Sequence, residues 1–282
     1  ERALHEYFAW VAANDAKYRM GKTPLKAYQY WSNVVAKQAG TNPTVAPPPA
    51  RVGDLPPALA FAGQAGADAM SATGKARAEG EGIVSRMLNP GANQVTSPLL
   101  QTTRGAITHP TQWDTLARMT NGTLPDAYKK PAPKVQKFIQ KEAKARNELL
   151  AVQTCNENIA APDYLQVPSA LWAMETGEII TAPAQIFGSG MACNGAAPVI
   201  GKMPLNGSKL ATRPLQFNAT RDPQTMYSGR FGIAKPMNSH LVTVHGPGHG
   251  HVGRGNKAVD QQVINYLRTG DLGPVNQPGH FG

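Results

Sequence analysis

An aspartate and a histidine near the end of the chain have the residue types and surroundings of a catalytic pair. Asp222 follows an apolar segment, residues 215–219, and His249 stands between two glycines after a second apolar segment, residues 241–244. Carboxyl ends of neighbouring parallel strands meet at one edge of a sheet, so we expect the two side chains to meet there. The carboxylate would then hold the imidazole in the tautomer that a general base needs.

The elements that must position this pair are two strands and the helix between them. Residues 215–219 and 241–244 have the apolar composition of strands, and a short helix is expected between them. An amphipathic helix is expected over residues 258–268. The order strand, acid, helix, strand, histidine predicts an α/β fold.

These stretches resemble the closing part of the α/β-hydrolase fold, and within it the secreted tripeptidyl-aminopeptidase-like serine hydrolases. The matching sequences are ATRDPQT at residues 219–225, SHLVTVHGPGHG at residues 239–250, and the terminal helix followed by TGDL at residues 269–272. The resemblance implies that Asp222 is the acid and His249 the base of a Ser-Asp-His triad. It also implies a large, mainly helical cap domain.

Asp222 and His249 can also be interpreted without a catalytic pair. An Asp-Pro turn such as Asp222-Pro223 commonly ends a strand. His245, His249 and His251 could bind zinc together with Asp222, but their spacing in a glycine-rich loop is a weak signal and no H-E-x-x-H accompanies it. The same loop also lacks a lysine at the fixed position that a phosphate-binding loop requires. We therefore expect neither a metal nor another cofactor.

The triad serine is missing from the sequence. Its G-x-S-x-G elbow does not occur, and the nearest approach, Gly188-Ser189-Gly190, lacks the spacing. The chain of 282 residues begins in a helical pattern, with neither an initiator methionine nor a signal peptide. We therefore expect an N-terminal chain of the same precursor, cleaved ahead of the cap, to carry the nucleophile. Otherwise the protein is not a hydrolase.

Cys155 and Cys193 are the two cysteines of the sequence. Their separation does not suit zinc or a C-x-x-C redox pair, and an even count fits one disulfide in an oxidising compartment. Two buried thiols are the alternative. The resemblance implies a disulfide, because the two cysteines match the family's cap-to-core pair, although the family's further cysteine is absent near residues 256–259. The expected location is secreted or periplasmic.

The chain carries 28 Lys and Arg against 18 Asp and Glu, a net charge of +10. Such a charge would suit nucleic acid, but the basic residues are not interleaved with aromatics. The densest run, residues 129–146, is explained by the solvated face of a helix whose apolar stripe includes Val135, Phe138, Ile139 and Leu149. We expect no nucleic-acid partner, and there is no apolar run long enough to span a membrane.

The rest of the chain is predicted to be the cap. Helical spacing of apolar residues predicts two helices within residues 1–40, and proline excludes a helix from residues 47–49. FAWVA at residues 8–12 and the pattern x-x-P-x-x-W-x-x-L-A at residues 108–117 resemble cap helices of the family, with Trp113 favoured as a core anchor. Residues 58–85, rich in alanine and glycine, allow either close helix packing or a mobile lid. We expect a cap over residues 1–190 and a core segment over residues 191–282.

Two hypotheses for function follow. In the first, the chain is the C-terminal part of a secreted serine peptidase of aminopeptidase type, or of an esterase or amidase with the same triad. In the second, the chain is a non-catalytic binding protein that retains the fold. An unpaired strand at the edge of a parallel sheet argues against the second, because it would be left exposed.

Overall fold

The chain is mainly helical, with a small parallel sheet near its C-terminal end. The computed structural model describes residues 1–126, 132–157, 162–193 and 204–281. Its helices are α1 (Arg2–Ala13), α2 (Asp15–Tyr18), α3 (Pro24–Ala39), α4 (Gly63–Ala72), α5 (Gly74–Leu88), α6 (Pro98–Ala106), α7 (Trp113–Thr120), α8 (Pro133–Glu157), α9 (Val167–Thr176), α10 (Ala182–Gly188), α11 (Phe231–Met237) and α12 (Lys257–Thr269). Its strands are β1 (Leu215–Arg221), β2 (His240–Pro247) and β3 (Asn276–Pro278).

The first helices pack through their apolar faces, as their spacing predicts. Phe8 on α1 lies against Trp31 on α3, with ring centroids 5.6 Å apart, and both side chains are fully buried. The hydroxyl of Thr23 caps α3 by accepting the backbone N–H of Lys26, and Gly40 ends the helix in the left-handed conformation. The prediction of two helices within residues 1–40 is confirmed, with the short α2 added between them.

Helix α7 is anchored by Trp113, which is 1% exposed and contacts the rings of Tyr7 and Trp10. Its indole N–H donates to the carbonyl of Ile107 at 3.3 Å. The helix start predicted from Pro110 is present as one turn of 3₁₀ helix, Pro110–Gln112, leading into α7. Trp113 is therefore a core residue, as expected.

The alanine- and glycine-rich residues 58–85 form a 3₁₀ helix and most of α4 and α5. A Cβ on Gly74 would lie 2.9 Å from Pro47, and one on Gly82 would lie 2.7 Å from Thr44. Small residues are therefore needed here for close packing. Of the two interpretations left open by the composition, the structure favours helix packing.

Helix α8 forms where the basic run predicts it, but its apolar stripe has no cover within the described chain. Phe138 is 63% exposed and Leu149 is 57% exposed. The solvated face predicted for this helix is therefore only part of its exposed surface, because the whole described helix before its last turn is exposed. Lys129 and Lys130, which begin the basic run, lie outside the described residues.

The sheet has the order β1-β2-β3, and both pairings are parallel. Helix α11 connects β1 to β2, and α12 connects β2 to β3, so the sheet is built from two strand-helix-strand units. The register shifts by one residue near the carboxyl ends, where Ala219 pairs with Val244 but Arg221 pairs with Pro247. This bulge bends β2 where its loop begins.

The carboxyl edge of the sheet faces the N-terminal helices. Arg221 at the end of β1 forms an ion pair with Glu6 of α1 at 3.0 Å, and Phe281 packs against Trp10 and Trp113. The architecture is an α/β segment joined to a helical region, in agreement with the predicted fold class. The division at residue 190 stays a prediction. Among the described helices, none combines the length and apolar character needed to cross a membrane.

Candidate active site

Asp222 and His249 meet at the carboxyl edge of the sheet. Asp222 directly follows β1, and His249 lies two residues beyond the end of β2. The Nδ1 atom of His249 lies 2.9 Å from Oδ2 and 3.1 Å from Oδ1 of Asp222. The structure thus brings together the two residues that the sequence predicts as acid and base.

The Asp222 carboxylate is held by its own turn as well as by the histidine. Oδ1 accepts the backbone N–H groups of Gln224 at 2.8 Å and Thr225 at 2.9 Å, and Oδ2 accepts the Thr225 hydroxyl at 2.7 Å. Burial by itself raises the pKa of Asp222, but the hydrogen bonds from Thr225, Gln224 and His249 outweigh it and place the pKa below its usual range. The Asp222 carboxylate is therefore an anion that can accept a hydrogen bond from Nδ1 of His249, as a carboxylate that orients a catalytic histidine must do.

His249 is more open than its partner. Its side chain is 34% exposed, against 5% for that of Asp222. A carboxylate on Nδ1 makes that nitrogen the N–H donor, and Nε2 is then the lone-pair nitrogen that can take a proton. The arrangement has the geometry of a general base that is oriented by a carboxylate and carried on a partly exposed side chain.

The other histidines near His249 do not join it in a metal site. His245 is exposed, and its Nε2 is paired with Oδ1 of Asn276 at 2.8 Å. His251 is 9% exposed, and burial lowers its pKa. Within the described residues, no group of three His, Cys, Asp or Glu side chains has the arrangement of a metal site.

Ser189, the nearest sequence approach to an elbow, is not placed as a nucleophile. It follows helix α10, whereas an elbow serine stands between a strand and a helix. Its hydroxyl is buried and donates to the carbonyl of Ile186 at 3.0 Å. The serine that would complete the triad is not this one.

Cys155 and Cys193 form a disulfide, as the resemblance implies. The bond ties the last turn of α8 to the 3₁₀ turn Met191–Cys193. It therefore fixes the exposed helix to the segment that leads toward the sheet.

The outer side of β1 is open. Among the described residues, β1 pairs with β2 alone. A groove of about 950 Å³ runs along this strand, and its apolar lining includes Phe217, Met226 and Ile233. Met226 is 77% exposed and Ile233 is 58% exposed. This side of the sheet has the character of an interior surface.

Sequence reasoning missed several residues that hold the site. Gln224 and Thr225 hold the Asp222 carboxylate through their backbone N–H groups. The local signal for this is Asp222 itself, because an Asp at a turn commonly accepts the backbone N–H two residues on. The carbonyl of Thr108, far away in the sequence, accepts the backbone N–H of His249 at 2.9 Å. No local pattern predicts that long-range contact.

Comparison with known proteins agrees with this geometry. Residues 182–277 match the α/β-hydrolase family described as TAP-like protein. The matched range runs from the first residue of α10 into β3 and includes both residues of the pair. No curated protein matches the chain.

Proposed function

We propose that this chain supplies Asp222 and His249 to a serine hydrolase, since residues 182–277 match the α/β-hydrolase family described as TAP-like protein. The nucleophilic serine would come from a segment outside residues 1–282, which in our proposal is the N-terminal part of the same precursor. The observation that carries the proposal is the 2.9 Å contact between Nδ1 of His249 and Oδ2 of Asp222 at the carboxyl edge of the sheet.

The proposed chemistry is acyl transfer to water. The serine oxygen attacks the substrate's carbonyl carbon while Nε2 of His249 takes the serine proton. As the tetrahedral intermediate collapses, His249 returns that proton to the leaving group, and an acyl-enzyme remains. Water then repeats the sequence, with His249 again as base, and releases the acid. Asp222 keeps the ring oriented and stabilises the imidazolium in both halves.

The open side of β1 supports a partner segment. A further parallel strand paired with β1 would satisfy its free backbone groups, and the helices accompanying that strand would cover Phe217 and Met226. Such a segment would bring the elbow serine and its neighbouring N–H groups toward Nε2 of His249. The oxyanion hole would therefore also come from the partner segment.

The proposed substrate is a peptide with a free N-terminus, in keeping with the aminopeptidase type that the sequence resemblance implies. The proposed location is secreted or periplasmic, because the disulfide between Cys155 and Cys193 is the bond expected in an oxidising compartment.

The experiment is to purify the protein from its natural source and to label it with a fluorophosphonate, which reacts with activated serines. We expect a second, labelled species to copurify with the unlabelled chain of 282 residues, or a longer labelled polypeptide that contains this chain. If the natural source yields this chain with neither a labelled partner nor a labelled longer form, the proposal is overturned.

The substrate class is tested with a matched pair of peptides, one with a free N-terminus and one acetylated. The aminopeptidase assignment predicts cleavage of the free peptide only. Hydrolysis of simple esters together with equal cleavage of both peptides would contradict the aminopeptidase assignment and leave a general esterase or amidase.

A further inference from the structure

The loop that carries His249 contacts a short segment of the helical region, Thr108–Thr111. The backbone N–H of His249 donates to the carbonyl of Thr108 at 2.9 Å. A Cβ on Gly248 would lie 2.9 Å from Cδ and 3.1 Å from Cγ of Pro110. The cavity between the two segments is about 20 Å³, room for about one water and no ligand.

The two glycines beside His249 allow the histidine loop many conformations, although the His251 ring contacts the Gly248 backbone within the loop. Gly248 has a φ of +121° and Gly250 a φ of +66°, so His249 is joined on both sides to residues with a wide choice of backbone conformation. Contacts from outside the loop, to Asp222 and to Thr108, therefore help to fix where the imidazole lies.

The segment 108–111 is well suited to that task because it is itself fixed. Pro110 restricts His109 to an extended conformation, with φ −126° and ψ 97°. The backbone N–H of His109 donates to Ala106 at 3.0 Å, and that of Gln112 donates to His109 at 2.8 Å. The turn then leads directly into the buried Trp113.

We propose that Thr108–Thr111 is a positioning clamp for the histidine loop. Thr108 holds the His249 backbone by a hydrogen bond, and Pro110 closes over Gly248. The helical region then takes part in positioning the catalytic histidine. The inference rests on the proposed function for its catalytic meaning, but the clamp itself can be measured on this chain without the serine.

The test compares Pro110→Gly with Pro98→Gly. Both prolines begin a helix after a residue in the extended conformation, and Pro98 starts α6, away from the histidine loop. The first readout is hydrogen exchange of the His249 amide. The second is the NMR signal of its Nδ1 proton, which moves far downfield when it is bonded to a carboxylate.

We expect Pro110→Gly to speed exchange of the His249 amide about five- to tenfold, the effect of losing one hydrogen bond. We also expect it to weaken the Nδ1 proton signal, while Pro98→Gly changes neither readout. The second variant, His109→Gln, keeps Pro110 but replaces the His109 ring, which also contacts the His249 backbone. It should retain most of the protection, and a loss as large as in Pro110→Gly would contradict a clamp made by Thr108 and Pro110.

Unchanged exchange and an unchanged Nδ1 signal in folded Pro110→Gly would overturn the clamp. Near-ultraviolet circular dichroism of the tryptophans establishes that the variant is folded. In the assembled hydrolase the clamp predicts that Pro110→Gly lowers kcat and leaves KM unchanged. If the proposed function is wrong, neither the wild type nor any variant shows hydrolase activity, but the differences in the NMR readouts remain.

Discussion

Replacing Asp222 by asparagine should reverse the tautomer of His249. The two backbone N–H groups of Gln224 and Thr225 both point at Oδ1. An amide NH₂ in that position would face two donors, so the asparagine oxygen must stay there. The NH₂ group then occupies the Oδ2 position, 2.9 Å from Nδ1 of His249. Nδ1 becomes an acceptor, and the ring proton moves to Nε2.

The size of the effect follows from the same contacts. Two hydrogen bonds from backbone N–H groups change from a charged to a neutral acceptor, at roughly 1 kcal/mol each, so the variant should lose about 2 kcal/mol of stability. With the proton on Nε2 the ring cannot accept the serine proton. The rate of acyl transfer in the assembled enzyme should therefore fall on the order of 10⁴-fold, as the same change does in serine proteases.

The assay is ¹⁵N NMR of the histidine ring nitrogens in this chain, with the His249 signals assigned from a His249→Ala sample. The control is Asp271→Asn, because Asp271 also accepts a turn N–H, that of Gly273 at 3.0 Å, on an exposed loop. We expect Nδ1–H in the wild type and the control, and Nε2–H in Asp222→Asn. An Nδ1–H ring in Asp222→Asn would refute the reasoning.

Three further outcomes are expected. Trp113→Ala should cost about 3–5 kcal/mol in urea unfolding, because the side chain is 1% exposed and packs among aromatic rings; a loss below 1 kcal/mol would contradict its anchoring role. The lowered pKa of Asp222 means that its carboxylate stabilises the folded state above its ordinary pKa of 3.8, and that this contribution disappears as the pH falls through the folded-state value. Unfolding measured between pH 5 and pH 2 should show that loss in the wild type and less of it in Asp222→Asn. Replacing Cys155 and Cys193 by serine should destabilise the segment they close, 38 residues in separation, by up to about 4 kcal/mol; limited proteolysis between α8 and α10 would detect it, and an unchanged cleavage rate would argue against the disulfide as a restraint.

The sequence predicted the pair but not its supports. Asp222 and His249 could be recognised because each follows a strand, and parallel strands bring their carboxyl ends to one edge. The turn that holds Asp222 can be predicted from neighbouring residues, because Asp222 accepts backbone N–H groups only two and three residues further along the chain. The contact between His249 and Thr108 was not, since it joins two segments whose proximity depends on the packing of the whole helical region.

The same contrast holds for the fold. Regular apolar spacing predicted the first helices and α12, and the buried Trp113 followed from its position after a proline. β3 was missed because three residues, Asn276–Pro278, between a glycine-rich turn and the chain's last residues carry no period that a strand requires. The exposure of Phe138 on α8 was also missed, because a helical stripe indicates which face is apolar but not whether another element covers it.

The central claim is that a histidine of this chain activates a serine outside it. The most direct measurement is the rate of fluorophosphonate labelling in the assembled enzyme, with His249→Ala compared against His245→Ala, a neighbouring exposed histidine that pairs with Asn276. Our account predicts that His249→Ala abolishes labelling of the partner segment and that His245→Ala labels at the wild-type rate. Labelling at full rate in His249→Ala would contradict it.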